Sequence, residues 1–179
     1  MRTFSLVVSA MVLAVPGVAQ AAEPPCLTTG EFASLAGYAL PSVITGTTQR
    51  CSASLGPDAF LPRSGGQLAE RYAERKADNW PAARSAFLKL SGGNGDASKL
   101  LRDLPDASLQ GMLDSVLQGM VSQQIPVERC STIDKVVRLL APLPPANMAE
   151  LVSVMVGLGA KSDAEGKPRK IGKLALCQA

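Results

Sequence analysis

Four cysteines, Cys26, Cys51, Cys130 and Cys177, are the side chains best suited to covalent chemistry in this 179-residue sequence. Successive cysteines stand at least 25 positions apart, so no C-x-x-C pair is present to grip zinc or to act as a redox dithiol. Disulfides are the chemistry that remains, and they require an oxidising compartment. Of the three ways to pair four cysteines, the expected one is Cys26 with Cys51 and Cys130 with Cys177. Cys26 precedes an expected antiparallel helix pair and Cys51 follows it. Cys177 closes a tail with too few apolar residues to dock alone.

The chain contains no histidine. That excludes Ser-His-Asp and Cys-His nucleophiles, HExxH zinc sites and the usual general base near neutral pH. Hydrolysis would have to rest on carboxylates, a Ser-Lys pair or an oxygen-ligated metal. Glu70 and Glu74 share a helix face at a spacing of four, but they belong to the hydrophilic side of an amphipathic helix rather than to two walls of a cleft. Ser85 and Lys89 have the same spacing beside Arg84, where the lysine has no apolar pocket to make it a base.

Gly92-Gly93-Asn94-Gly95-Asp96 lacks one residue of the GGxGxD calcium turn and has no Gly-Lys-Ser/Thr of a P-loop. It is expected to stop one helix and to start the next with Asp96 as N-cap. Met112, Met120, Met148 and Met155 could present thioethers to Cu(I), yet methionine more often fills core gaps or lines adaptable apolar grooves. Most of Phe32, Tyr38, Phe60, Tyr72, Trp80 and Phe87 fit buried helical positions, with Trp80 the expected anchor of the first half. No residue set is assigned as catalytic, cofactor-binding or metal-binding, and no cofactor is expected.

The elements that must position these residues begin with an export signal. Arg2, an apolar run from Phe4 to Val15, the Pro16-Gly17 break and Ala19-Gln20-Ala21 form a signal peptide over residues 1–21, too short to serve as a membrane span. No later stretch is apolar enough to cross a bilayer. Without Arg2, 17 basic and 15 acidic side chains remain, a net charge of +2 that favours neither nucleic acid nor a polyanionic role.

Residues 22–179 are expected to form one helical domain, with helices over 22–91, paired hairpins over 96–160 and a basic tail over 161–179. Thr28-Thr29-Gly30-Glu31 is a capping box ahead of Phe32, Leu35, Ala36 and Ala39, and Leu40-Pro41-Ser42 is expected to end that helix. Ser64-Gly65-Gly66-Gln67 is a second expected box, leading the stripe Leu68, Ala69, Tyr72, Ala73, Ala77 and Trp80. Asn79 and Pro81 suit another start, with Ala83, Ala86, Phe87 and Leu90 on the buried face.

An internal resemblance appears at an offset of 39 residues. Leu104-Pro105 matches Leu143-Pro144, and Leu101 matches Leu140. Each copy is expected to be a short helix, a Leu-Pro stop and a more apolar helix, the two hairpins stacking with Leu101 and Leu140 as equivalent buried positions. The helix from Asn147 to Leu158, apolar nearly all round, is expected to be the most buried. Lys161, Lys167, Arg169, Lys170 and Lys173 against Asp163 and Glu165 make the tail basic, a solvated linker to Cys177.

The fold class is therefore all-α: about six or seven short helices, a possible two-copy hairpin repeat and two disulfides. The expected function is that of a non-catalytic interaction or structural module of a bacterial envelope, periplasmic or secreted, partnered by an unidentified envelope protein. The alternatives are a carrier of an apolar small molecule or lipid in a helical pocket and a carboxylate-dependent enzyme of cell-wall glycan. The exported protein should begin at Ala22. Amino-terminal sequencing that finds Met1 retained after export would remove the signal-peptide reading.

Overall fold

Thr28 and Glu31 cap each other as the sequence leads one to expect. In the computed structural model, which describes residues 26–92, 96–159, 169–171 and 174–177, the Glu31 amide donates to Thr28 Oγ1 at 3.2 Å and the Thr28 amide donates to Glu31 Oε2 at 2.8 Å. The expected signal peptide, 1–21, lies outside these residues. Helix α1 (Thr29–Ser52) does not stop at Leu40-Pro41 but runs through it for 24 residues. Pro41 has no N–H for the Gly37 carbonyl, a defect worth ~3 kcal/mol or more in a helix interior. Packing overrides it: Pro41 is buried, and α1 is the helix against which most of the others lie.

Helix α2 (Phe60–Ala73) begins four residues before the expected Ser64 box, which falls inside it. Its N-cap, Ala59, offers no side-chain acceptor. The buried Asp134 does so from a distant helix, its Oδ1 accepting from the Leu61 amide at 2.7 Å. The chain turns at Glu74-Arg75 into α3 (Lys76–Leu90), so the expected stripe is divided between two helices. Leu68, Ala69, Tyr72 and Trp80 are buried as expected, whereas Ala73 and Ala77 are exposed beside the turn. Pro81 lies within α3 rather than at its start. Gly92, at φ 99°, ends this stretch in the left-handed region that favours glycine, and α4 (Asp96–Asp103) opens at Asp96.

Both Leu-Pro stops exist. Leu104-Pro105 separates α4 from α5 (Asp106–Gln124), and Leu143-Pro144 separates α6 (Cys130–Leu140) from α7 (Pro145–Gly159). The expected stacking of the two hairpins does not describe the packing: α5 and α7 lie on α1, α4 on α3 and α6 on α2. Leu101 and Leu140 are both half-buried, and they belong to different clusters. Among the described side chains of α7 only Met148 is buried, while Val154 and Met155 are exposed. An all-round apolar sequence fixes no facing direction, and one side of α7 meets α1 while another meets solvent. Seven α-helices are present among the described residues, two of them long.

The cysteines pair as Cys26–Cys177 and Cys51–Cys130, which corrects the expected connectivity. The reason is the continuity of α1. At ~1.5 Å per residue, its 24 residues make a rod about 36 Å long, with Cys26 just before its start and Cys51 at its far end, whereas bonded cysteines need Cα atoms within ~7 Å. Cys51 at the end of α1 instead meets Cys130, the first residue of α6, with Cα atoms 5.4 Å apart.

Strands β1 (Cys26–Leu27), β2 (Arg169–Ile171) and β3 (Leu174–Leu176) form a small sheet in the order β1-β3-β2. β3 runs parallel to β1 and antiparallel to β2, so part of the tail expected as linker is paired backbone. The rest of the tail up to Lys173 lies outside the described residues. The loops closed by the bridges span 151 and 79 residues, for which chain entropy gives about 4 to 5 kcal/mol each.

At Gly46 the backbones of α1 and α5 come into contact. A Cβ placed there would lie 2.8 Å from the Gln118 carbonyl oxygen and 3.1 Å from its Cα. Gly46→Ala gains up to ~1 kcal/mol of helix propensity and costs ~1–3 kcal/mol of overpacking, because no flexible side chain can give way. We expect a net loss of about 1–2 kcal/mol in urea unfolding. Gly30→Ala on the same helix, with nothing within 4 Å, should be neutral or slightly stabilising. Equal stability of the two variants would show that α1 and α5 do not approach so closely.

Candidate functional site

Helices α1, α2, α6 and α7 converge without closing on one another, leaving an apolar cleft of about 290 Å³. Leu40, Val43 and Ile44 line it from α1, and Leu61, Leu68 and Tyr72 from α2. Ile133, Val137 and Leu140 form the α6 wall, and Met148 and Val152 the α7 wall. The side-chain polar atoms on its surface are committed elsewhere: Thr47 Oγ1 donates to the Val43 carbonyl at 2.7 Å, and the Tyr72 hydroxyl donates to the Leu143 carbonyl at 3.2 Å. The arrangement can hold an apolar group and has no nucleophile or acid–base pair to transform one.

Three devices hold α6 in place as a wall. The Cys51–Cys130 bridge fixes its first residue, Asp134 ties it to the α2 amino terminus, and the Arg71 guanidinium donates to the Ala141 carbonyl just past its end. The Arg71 guanidinium carbon also stands 5.8 Å from the Tyr72 ring centroid. Burial raises the Tyr72 hydroxyl above its ordinary pKa, with Arg71 acting in the opposite direction.

A second polar cluster braces α1, α3 and α5. Ser42 Oγ donates to Asp114 Oδ1 at 2.8 Å, and Lys76 Nζ pairs with Asp114 Oδ2 at 2.5 Å. The same ammonium lies 4.5 Å from the centroid of the Tyr38 ring, which packs on Trp80 at 5.0 Å. The Tyr38 hydroxyl and the Trp80 indole N–H are buried and have no hydrogen-bond partner among the described residues. Burial, and next the Asp114 carboxylate, raise Tyr38 well above the ordinary phenol range. The three groups resemble a nucleophile array in composition only. Ser42 is 3% exposed, and the carboxylate it faces is already engaged by Lys76.

The structure separates the candidates read from the sequence. Glu70 and Glu74 are exposed, and so is Ser85. Lys89 turns from Ser85 to Glu31, with Nζ 2.7 and 2.8 Å from the two carboxylate oxygens. That contact first, and the Thr28 amide next, hold Glu31 below the usual carboxylate pKa. Residues 93–95 of the glycine-rich turn lie outside the described residues. Met148 lines the cleft, whereas Met112, Met120 and Met155 are exposed, so the thioethers do not converge. Among the described residues no group of three or more Cys, Asp or Glu side chains could hold a metal ion. Trp80 anchors the first half as expected, in a cluster with Tyr38, Ala83, Leu109 and Leu113.

Sequence reasoning missed both Asp134 and the Ser42–Lys76–Asp114 brace. Their partners lie 38 to 73 positions away, and no local pattern marks such pairings. No family model, curated protein or solved structure matches this chain, so its function has to be argued from geometry.

The chain has two tyrosines, and both are buried with raised pKa values. A raised folded value means that folding favours the neutral phenol. The associated stability is complete below the unfolded value near 10 and is lost as pH climbs above it. Absorbance at 295 nm should therefore show no tyrosinate step near pH 10 while the helical circular dichroism persists. Both phenols should ionise together with alkaline unfolding. A one-tyrosine step centred near pH 10 in the folded protein would contradict the burial of Tyr38 or Tyr72.

Proposed function

We propose that this is an exported, non-catalytic binding protein that carries an apolar small molecule or a single lipid chain in the cleft between α1, α2, α6 and α7. The observation that supports this is the cleft itself. Protein interiors are close-packed, with few voids larger than a water molecule. Closed and empty, 290 Å³ of apolar void would cost on the order of 7 kcal/mol at ~24 cal/mol per Å³. That is a large share of the ~5–15 kcal/mol that stabilises a typical domain. An open cleft exposes the same apolar walls to water, and an apolar occupant restores the missing contacts in either case.

The compartment in this proposal is the periplasm or the exterior. Two disulfides are compatible with it, and among the described residues no helix is long and apolar enough to cross a membrane. The exposed Glu70 and Glu74 lend no support to a glycan-cleaving role. The envelope-interaction reading draws on a different feature, the outer face of α5. Met112, Val116 and Met120 recur there at a spacing of four and are 39%, 51% and 49% exposed.

Native mass spectrometry of the oxidised protein purified from its own envelope should find a bound molecule. The neutral dye N-phenyl-1-naphthylamine should bind saturably at one site, and at 100 times its Kd it should stabilise the fold by about 2.7 kcal/mol. Val137→Phe, which fills the cleft from α6, should weaken the dye at least tenfold while leaving the circular dichroism unchanged. An empty protein that does not take up the dye would overturn the carrier reading and leave the α5 face as the feature to pursue.

A further inference from the structure

We propose that the cleft is the tail half of an amphipathic site and that its ligand is a single-chain anionic amphiphile of the fatty-acid type, an inference that rests on the carrier reading. A second hollow of about 310 Å³ lies between α2 and α6. It shares Leu68 and Ala141 with the apolar cleft, so the two adjoin. The character of the lining changes across that boundary. The cleft is almost wholly apolar, whereas half of the adjoining hollow's lining is polar: Ser64, Gln67, Arg71 and Arg138 stand there beside Phe60 and Pro142, with no carboxylate among them.

The two arginines are held differently. Arg71, though exposed, has one guanidinium nitrogen on the Ala141 carbonyl and its guanidinium carbon 5.8 Å from the Tyr72 ring centroid, which holds it at the junction of the two hollows. Arg138 is exposed and, among the described residues, makes no ion pair or hydrogen bond that would occupy it. Two guanidinium groups in one hollow, with the polar Ser64 and Gln67 in the same lining, suit a carboxylate, which accepts planar, paired hydrogen bonds. The apolar cleft sits at the lower end of the ~300–1,000 Å³ range of ligand pockets, which gives room for one alkyl chain and not two. A chain in the cleft and an acid group in the hollow satisfy both halves at once. Neither a neutral hydrocarbon nor a free small anion does.

Isothermal titration calorimetry on the oxidised full-length mature protein, with decanoate and decanol below their aggregation limits, tests this. Decanoate should bind about tenfold more tightly than decanol, and the preference should shrink in high salt because the arginine mouth is open to water. Arg138→Gln removes a charge that supports no other contact. It should bring decanoate down to the affinity of decanol and leave decanol unchanged. Equal affinities in the unsubstituted protein, or a preference that survives Arg138→Gln intact, would overturn the assignment of the mouth. Binding of N-phenyl-1-naphthylamine without binding of either decyl compound would overturn the amphiphile while the carrier reading stands. Failure of all three probes would overturn both. Association with phosphatidylglycerol vesicles in the absence of decanoate binding would replace the single-chain ligand with a membrane surface.

Discussion

The continuity of α1 through Pro41 is the constraint on which the other helices depend. α2, α3, α5 and α7 all pack against this one helix, so the bundle has a hub rather than a sequence of neighbouring hairpins. A hub needs surfaces that others can approach closely, and α1 provides them with small side chains on different sides. A Cβ at Gly37 would meet the Asn79 side chain at 2.8 Å, and one at Gly46 would meet the α5 backbone. α2 approaches through its own Gly65, which faces Thr48. Helix α1, which carries Pro41 in its interior, is also the one with the most partners, and those partners offset the lost hydrogen bond.

Several helix ends are satisfied from elsewhere in the fold. Every helix leaves amides at its start and carbonyls at its end without an intrahelical partner. Here Asp134 serves the Leu61 amide of α2, Arg50 the Ile125 carbonyl past α5, Arg71 the Ala141 carbonyl past α6 and Arg84 the Arg102 carbonyl within α4. These contacts join helices as well as finish them. A change in any of these side chains would act at the end of a helix some distance away, and at α2 the remote cap Asp134 explains why the local pattern at Ser64 misplaced the helix start.

What was legible in the sequence was what local patterns encode. The Thr28–Glu31 box, the break at Gly92 and the two Leu-Pro stops were readable because a few adjacent residues decide each of them. The burial of Trp80 and Tyr72 followed from helical spacing. The failures share one cause, which is that tertiary contacts decided the outcome. Pro41 was expected to end a helix and lies inside one; Ser64 was expected to cap α2, and Asp134 does so. The wrong disulfide pairing followed directly from the first of these errors, since a broken α1 would have let Cys26 and Cys51 meet. The apolar cleft was legible only as a class of possibility. Its lining residues look like ordinary core in sequence, and only their incomplete meeting distinguishes a pocket from a filled interior.

The two bridges are nested: the pair Cys51–Cys130 lies inside the loop closed by Cys26–Cys177. For a chain emerging amino terminus first, Cys51 is the first partner that Cys26 meets, and it is the wrong one. Helix α1 guards against that error. Once its 24 residues are wound, it acts as a rigid spacer that keeps the first two thiols out of reach of each other. The partner of Cys26 is Cys177, brought beside it by the pairing of β3 with β1. Oxidation that outruns helix formation would trap the consecutive pair and call for an isomerase, whereas oxidation that follows it leads directly to the native ring. In the folded bundle the same unbroken helix thus makes the pairing of Cys26 with Cys51 geometrically impossible.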